Sequence, residues 1–113
     1  MRLFQSFRYA WQGISYCFRT QLNFRIHLVG FIFLLISSYF FQFEKWEVIV
    51  CLILSALVFF AELMNTAIES VVDLTTQEFS ELAKIVKDCA AGAVLVLAII
   101  SVCVWCIIVY GKL

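Results

Sequence analysis

The chain has 113 residues and carries eight basic and eight acidic side chains, so its formal net charge is zero and nothing in the charge balance points to a nucleic-acid partner. Hydrophobic residues make up 65% of the sequence and charged residues only 14%, with a mean hydropathy of +1.02. A soluble domain of this length could not bury so much apolar surface, so the composition predicts a single-domain integral membrane protein.

The first predicted element is a surface helix over residues 1–25. Its apolar residues recur at steps of three and four, which places them on one stripe of a helix. Arginine and glutamine side chains lie largely elsewhere on the same helix. This pattern predicts an amphipathic helix in the membrane interface, with its aromatic rings toward lipid and its arginines toward headgroups. The apolar stripe consists of Leu3, Phe7, Trp11, Ile14 and Phe18.

Three apolar segments follow, and each predicts a membrane-spanning helix. The first covers residues 26–43, the second residues 47–73 with a cytoplasmic extension, and the third residues 87–110. A polar turn, "EKWE", separates the first two, and a polar loop at 74–86 separates the last two. The expected fold is therefore an all-α membrane bundle of three spans plus the surface helix. A buried helical subunit of a soluble complex is the alternative, which apolar runs of nearly bilayer length disfavour.

Lysine and arginine are distributed unevenly between the two predicted sides of the membrane. Six of the eight lie on the side of the N-terminus and the 74–86 loop, and two lie on the other side. Because basic residues concentrate on the cytoplasmic side, the N-terminus is expected in the cytoplasm and the C-terminus outside. The six are Arg2, Arg8, Arg19, Arg25, Lys84 and Lys87, and the two are Lys45 and Lys112.

The stretch "AELMNTAIESVVDL" carries polar residues at the end of the second apolar run. On a helix, Glu69 and Asp73 lie within about 20° of Glu62, and Asn65 lies about 60° away. Carboxylates four residues apart repel each other, so this face is destabilising unless a cation neutralises it. A divalent cation, most plausibly Mg²⁺, would take these oxygens as ligands and could bring phosphate groups with it.

Two further explanations of the acidic face remain open at this point. The helix end could protrude into water, which suits Asp73 but not Glu62, because Glu62 follows an apolar run. The acids could also pair with Lys84, Lys87 or an arginine, which is compatible with a metal. Lys87 could bind phosphate as a point charge or simply extend toward the interface. No GxxxxGK[ST] motif is present, so any phosphate would be held without a P-loop.

Several motifs resemble the prokaryotic diacylglycerol kinase family. "AELMNTAIESVVD" is similar to that family's pattern E-x-x-N-[ST]-A-[ILV]-E-x-x-V-D, and "KDCAAGAVL" resembles its pattern K-D-x-[AG]-[AS]-A-V-L. "FRYAWQGI" and "NFRIHL" resemble its N-terminal blocks, so the similarity covers about residues 4–110. The segments "NFRIHL" and "LAKIVKDCAAGAVL" resemble the undecaprenol kinase branch of the family more than its enterobacterial diacylglycerol kinase branch.

The resemblance implies a lipid kinase of the bacterial cytoplasmic membrane. Family members transfer the γ-phosphoryl group of ATP to a lipid hydroxyl with the help of Mg²⁺. They are homotrimers whose active sites lie at the cytoplasmic interface between neighbouring subunits. The expected acceptor is undecaprenol, with diacylglycerol as the alternative. A hypothesis of another class is a non-catalytic membrane protein whose acidic face binds a cation.

The resemblance also implies roles for individual residues. Glu62 resembles the general base that takes the proton of the lipid hydroxyl, and Asn65 orients groups beside it. Glu69 resembles a metal-binding carboxylate near the ATP phosphates. The remaining nucleotide-site residues implied in this way are Tyr9, Asp73, Glu78, Lys87 and Asp88.

One position departs from the family pattern. The family usually reads E-x-x-[FL]-R near the first span, and its glutamate helps to hold the metal, whereas this chain reads "QLNFR" with Gln21 at that place. An amide oxygen is a weaker Mg²⁺ ligand than a carboxylate because it carries no charge. The departure predicts a weaker metal site, compensation by another carboxylate, or an inactive relative.

Overall fold

The computed structural model describes residues 2–113, and Met1, the first residue of the predicted surface helix, lies outside the described residues. Residues 2–113 form helices and contain no strand. Three of the helices, α2, α3 and α4, are long and apolar enough to cross a membrane, which confirms the predicted all-α class with three candidate spans. The helices are α1 (Arg2–Thr20), α2 (Leu22–Phe40), α3 (Lys45–Thr75) and α4 (Glu81–Lys112).

The break between α1 and α2 falls at Gln21, inside the segment predicted as one surface helix. Gln21 has an extended backbone (φ −112°, ψ 111°), which ends the helical hydrogen bonding of α1. The guanidinium of Arg25 donates to the carbonyl oxygens of Phe18 at 3.5 Å and Arg19 at 3.4 Å. These contacts satisfy carbonyl groups that the end of a helix leaves without partners. Residues 22–25 consequently belong to α2.

The turn between α2 and α3 is closed by hydrogen bonds at both helix ends. The backbone N–H of Phe43 donates to the carbonyl of Ser38 at 2.9 Å, and Gln42 adopts a left-handed conformation (φ 55°), as in a Schellman cap. Glu44 and Glu47 then form a capping box, in which the Glu44 N–H donates to Glu47 Oε1 at 2.8 Å. The polar "EKWE" segment thus starts α3.

Helices α3 and α4 are antiparallel and form the main packing interface of the chain. An ion pair joins them near each end. Lys112 Nζ lies 2.7 Å from Glu47 Oε1, and Lys87 Nζ lies 2.8 Å from Asp73 Oδ1. The Ser80 hydroxyl caps the start of α4 by accepting the backbone N–H of Ala83 at 3.4 Å. The helix therefore begins six residues before the predicted third span.

Most large apolar side chains are exposed, including Phe40 at 76% and Ile107 at 72%. An apolar surface of this extent is suited to contact with lipid or with other subunits. On α1 the exposed fraction is 69% for Leu3, Phe7 and Trp11, so this stripe does not pack within the chain. The buried polar residues are instead concentrated on α3, where the sequence carries its acidic face.

Candidate active site

Glu62 is the most deeply buried large side chain of the described structure, with 1% of its surface exposed. Both of its carboxylate oxygens lack a hydrogen-bond partner within residues 2–113. His27 on α2 places Nε2 at 4.0 Å from Glu62 Oε2, which is beyond hydrogen-bond distance. Burial of a carboxylate without a partner costs free energy, and this cost marks Glu62 as the candidate catalytic residue of α3.

Asn65 and Glu69 lie beyond Glu62 along one side of α3. Together with Asp73, these three residues form the polar edge of the helix. Asn65 Nδ2 donates to Glu69 Oε1 at 3.2 Å, which fixes the amide group against the carboxylate. Asn65 Oδ1 is buried and, within the described chain, has no hydrogen-bond partner. The hydroxyl of Thr66 donates to the Glu62 carbonyl at 3.0 Å and so does not reach these oxygens. Three buried oxygen atoms, two from Glu62 and one from Asn65, therefore have no hydrogen-bond partner in the described chain.

A cleft of about 590 Å³ lies further along the same edge, between the end of α3 and the start of α4. Its volume is in the range of small-molecule sites. Four of the residues predicted for the nucleotide site line it together, namely Asp73, Glu78, Lys87 and Asp88. Glu62 and Asp73 are eleven residues apart on α3, a rise of about 16 Å. The polar edge therefore runs from a buried end to an exposed cleft.

Two lysines supply the positive charge of the cleft. Lys87 Nζ contacts Asp73 across the two helices, and Lys84 Nζ lies 2.6 Å from Asp88 Oδ2 one turn away on α4. The hydrogen bond to Asp88 and the charge of that carboxylate raise the pKa of Lys84, so its ammonium group stays charged at neutral pH. Lys84 is not among the residues predicted for the nucleotide site, yet it lines the cleft, and its four-residue spacing from Asp88 on a helix indicates the pair.

Tyr9 and Gln21 lie away from this cleft. Tyr9 is on α1 with 64% of its surface exposed, and neither residue lines the cleft. Gln21 Nε2 donates to the Thr20 hydroxyl at 3.4 Å, and within residues 2–113 it makes no hydrogen bond to Glu69 or Asn65. The single chain thus brings together most of the predicted site but not these two residues.

The oxygen atoms along α3 are the kind of ligand that Mg²⁺ prefers. In the described residues, no group of three or more His, Cys, Asp or Glu side chains is placed to hold a metal. Glu69 and the unpartnered oxygen of Asn65, one turn away, are two oxygen atoms of the kind that such an ion takes as ligands.

Comparison with known proteins gives consistent matches. The family described as "Prokaryotic diacylglycerol kinase" matches residues 8–109. The chain is 53% identical over 103 residues to a diacylglycerol kinase of Synechocystis sp., a match that covers 90% of this chain and 59% of that protein. It is 40% identical over 112 residues to the undecaprenol kinase of Bacillus subtilis, covering 99% of this chain and 91% of that protein.

A third relative is more distant. The chain is 28% identical over 110 residues to the diacylglycerol kinase of Escherichia coli, covering 97% of this chain and 90% of that protein. The chain thus spans about three fifths of the Synechocystis protein and nearly the whole length of the other two.

Proposed function

The chain belongs to the prokaryotic diacylglycerol kinase family, and we propose that it transfers the γ-phosphoryl group of ATP to the hydroxyl group of a membrane lipid. The observation that carries this proposal is the buried, unpartnered carboxylate of Glu62 at one end of a polar edge whose other end opens into the cleft with two lysines. Such an edge suits two substrates, one that arrives from lipid and one that arrives from water.

Glu62 would act as the general base in this reaction. It accepts the proton of the lipid hydroxyl while the hydroxyl oxygen attacks the γ-phosphorus. The new bond joins the lipid oxygen to phosphorus, and the bond from the γ-phosphorus to its bridging oxygen breaks, so ADP leaves with the electron pair. Glu62 then releases its proton to water. Asn65, held by Glu69 on the next turn, orients its amide oxygen beside this reaction.

The cleft between α3 and α4 would bind the nucleotide. Lys87 is the phosphate ligand in this proposal, and it exchanges its contact with Asp73 for phosphate oxygens. Glu69 and, from a neighbouring subunit, Gln21 would hold Mg²⁺, which would supply positive charge against the phosphates. The other residues placed around the nucleotide are Tyr9, Asp73, Glu78 and Asp88.

We place the site at the cytoplasmic face of a bacterial inner membrane, with the C-terminus outside, and assign the functional protein as a homotrimer. The distribution of lysine and arginine supports the orientation. The trimer is supported by the separation of Gln21 and Tyr9 from the other site residues within one chain, because a neighbouring subunit would complete the site. The exposed apolar stripe of α1 supports its position in the membrane interface.

Undecaprenol and diacylglycerol are the two acceptors to compare. The similarity of the "NFRIHL" segment and of the Bacillus subtilis undecaprenol kinase favours undecaprenol. The similarity to the Synechocystis diacylglycerol kinase favours diacylglycerol. The test uses the full chain in lipid nanodiscs with γ-³²P-labelled ATP and each lipid in turn. We expect a labelled lipid product with at least one acceptor. Binding of Mg²⁺ without any labelled lipid would instead support the non-catalytic cation-binding alternative.

A further inference from the structure

Lys84 is one of two basic residues, within residues 2–113, that line the cleft between α3 and α4, and the other is Lys87. The Lys84 side chain is 62% exposed, so a ligand that enters the cleft from water can reach it. The family resemblance implies no role for this lysine, and the kinase reaction proposed above does not use it. Its place in the cleft therefore needs a separate explanation.

The ammonium groups of the two lysines lie near the same turn of α4. Lys84 is three residues before Lys87, so the two side chains occupy neighbouring positions on the helix surface. The Lys84 side chain extends along α4 to Asp88, where its Nζ atom lies 2.6 Å from Oδ2. Asp88 directly follows Lys87, whose own Nζ atom lies 2.8 Å from Asp73 Oδ1 across the cleft. Both positive charges are thus available around residues 87 and 88.

The charges that line the cleft do not favour a phosphate chain held by Lys87 alone. Three carboxylates line it, those of Asp73, Glu78 and Asp88, against two ammonium groups. Carboxylates repel phosphate groups, so a bound phosphate chain needs cations and hydrogen-bond donors close to it. Use of both lysines doubles the positive charge that the side chains of the cleft can supply to the phosphates.

We propose that Lys84 is a second phosphate ligand of this cleft. This inference rests on the proposed binding of ATP between α3 and α4. When the nucleotide enters, the Lys84 ammonium exchanges its contact with Asp88 for a phosphate oxygen, as Lys87 exchanges its contact with Asp73. The two lysines then hold neighbouring oxygen atoms of the phosphate chain. Lys84 forms and breaks no covalent bond, and the transfer of the γ-phosphoryl group proceeds as described above.

The first test measures nucleotide binding apart from turnover. The full chain in lipid nanodiscs is titrated with a non-hydrolysable ATP analogue in the presence of Mg²⁺. We expect Lys84→Gln to raise the Kd by roughly tenfold, the lower end of the effect of a charge-assisted hydrogen bond, because Lys84 gives up its contact with Asp88. Lys84→Arg keeps the charge and should retain most of the affinity. Lys45→Gln, at the exposed start of α3, is the matched control and should leave the Kd unchanged.

The second test distinguishes a direct contact with phosphate from an effect through Asp88. If Lys84 acts only by holding the Asp88 carboxylate in place, Lys84→Gln has no further effect once Asp88 is replaced by asparagine. If Lys84 binds phosphate, Lys84→Gln should still raise the Kd at least tenfold in the Asp88→Asn background, because the ammonium no longer has a carboxylate to leave. Both residues are exposed, and an exposed pair at this spacing adds little stability, so the melting temperatures should be unchanged.

The outcomes separate this inference from the function on which it rests. If the unsubstituted chain does not bind the ATP analogue, the kinase proposal and the role of Lys84 fail together. If the chain binds the analogue through Lys84 but phosphorylates neither undecaprenol nor diacylglycerol, the lipid kinase proposal fails and the phosphate contact stands. An unchanged Kd in Lys84→Gln, or loss of its effect in the Asp88→Asn background, would overturn the role of Lys84 alone.

Discussion

Lys87 Nζ on α4 lies 2.8 Å from Asp73 Oδ1 on α3, and this contact closes one side of the cleft between the two helices. Both partners are substantially exposed, at 40% and 63%. Exposed ion pairs contribute little to stability because water and salt screen them. The contact therefore contributes little to holding α3 and α4 together.

Substitution of Lys87 should weaken nucleotide binding more than it weakens the fold. We expect Lys87→Ala to raise the KM for ATP by about tenfold to a hundredfold, the effect of losing one charge-assisted hydrogen bond. Lys87→Arg should retain part of the binding because it keeps the charge. Lys45→Ala, at the opposite end of α3, is the control. An unchanged KM for ATP in Lys87→Ala would remove Lys87 from the nucleotide site.

Glu62→Gln separates catalysis from binding. Glutamine has nearly the same shape but cannot accept the hydroxyl proton, so kcat should fall by roughly 10²- to 10⁴-fold. Nucleotide affinity, measured by titration with a non-hydrolysable ATP analogue, should stay the same. The melting temperature should not fall, because the substitution removes a buried charge that has no partner in the described chain.

Glu81→Gln, in the exposed first turn of α4, is the matched control for that measurement and should keep full activity. Activity of Glu62→Gln within about twofold of the unsubstituted chain would exclude Glu62 as the general base, since loss of such a base costs far more.

Gln21→Glu tests the departure from the family pattern. If Gln21 helps to hold Mg²⁺ in the assembled site, a carboxylate there should lower the Mg²⁺ concentration for half-maximal activity, because charge strengthens binding to a hard cation. We expect a shift of several-fold, measured by Mg²⁺ titration of the kinase rate. Gln42→Glu, in the turn between α2 and α3, is the control with the same chemical change. Identical titration curves for the two variants would place Gln21 outside the metal site.

Much of the fold follows from the sequence because the apolar runs are long and uninterrupted by proline. The polar edge of α3 was likewise predictable, since Glu62, Asn65 and Glu69 share one face at helical spacing. The positions at which the helices begin and end are harder to predict from the sequence. The break at Gln21 depends on Arg25 reaching back to the end of α1, and the early start of α4 depends on the Ser80 cap.

Contacts between helices could not be read from the sequence. The position of His27 beside Glu62 requires the relative rotation of α2 and α3, which a pattern within one helix does not determine. The pairing of Lys112 with Glu47 depends in the same way on the register of α3 against α4. The separation of Gln21 and Tyr9 from the cleft is a further case, because it also depends on how α1 and the start of α2 sit against the other helices.

A hydrogen bond between α2 and α4 provides a test of the helix arrangement itself. Trp105 Nε1 donates to the Ser37 hydroxyl at 2.8 Å, and Ser37 is buried. Hydrogen bonds between membrane helices contribute about 0.6 kcal/mol on average. We therefore expect Ser37→Ala and Trp105→Phe to show a coupling energy of about that size in a double-mutant cycle, with unfolding followed in detergent.

The Trp105→Phe substitution also changes packing. The double-mutant cycle cancels that change, because it is present with and without the Ser37 hydroxyl, and leaves the energy of the hydrogen bond. Ser38→Ala provides the matched control, since its hydroxyl bonds to the Leu35 carbonyl of its own helix and not to α4. Ser38→Ala should therefore be additive with Trp105→Phe. Strict additivity of Ser37→Ala with Trp105→Phe would mean that α2 and α4 do not meet at this position. The apolar cavity of about 460 Å³ that His27 and Trp105 both line would then have a different shape.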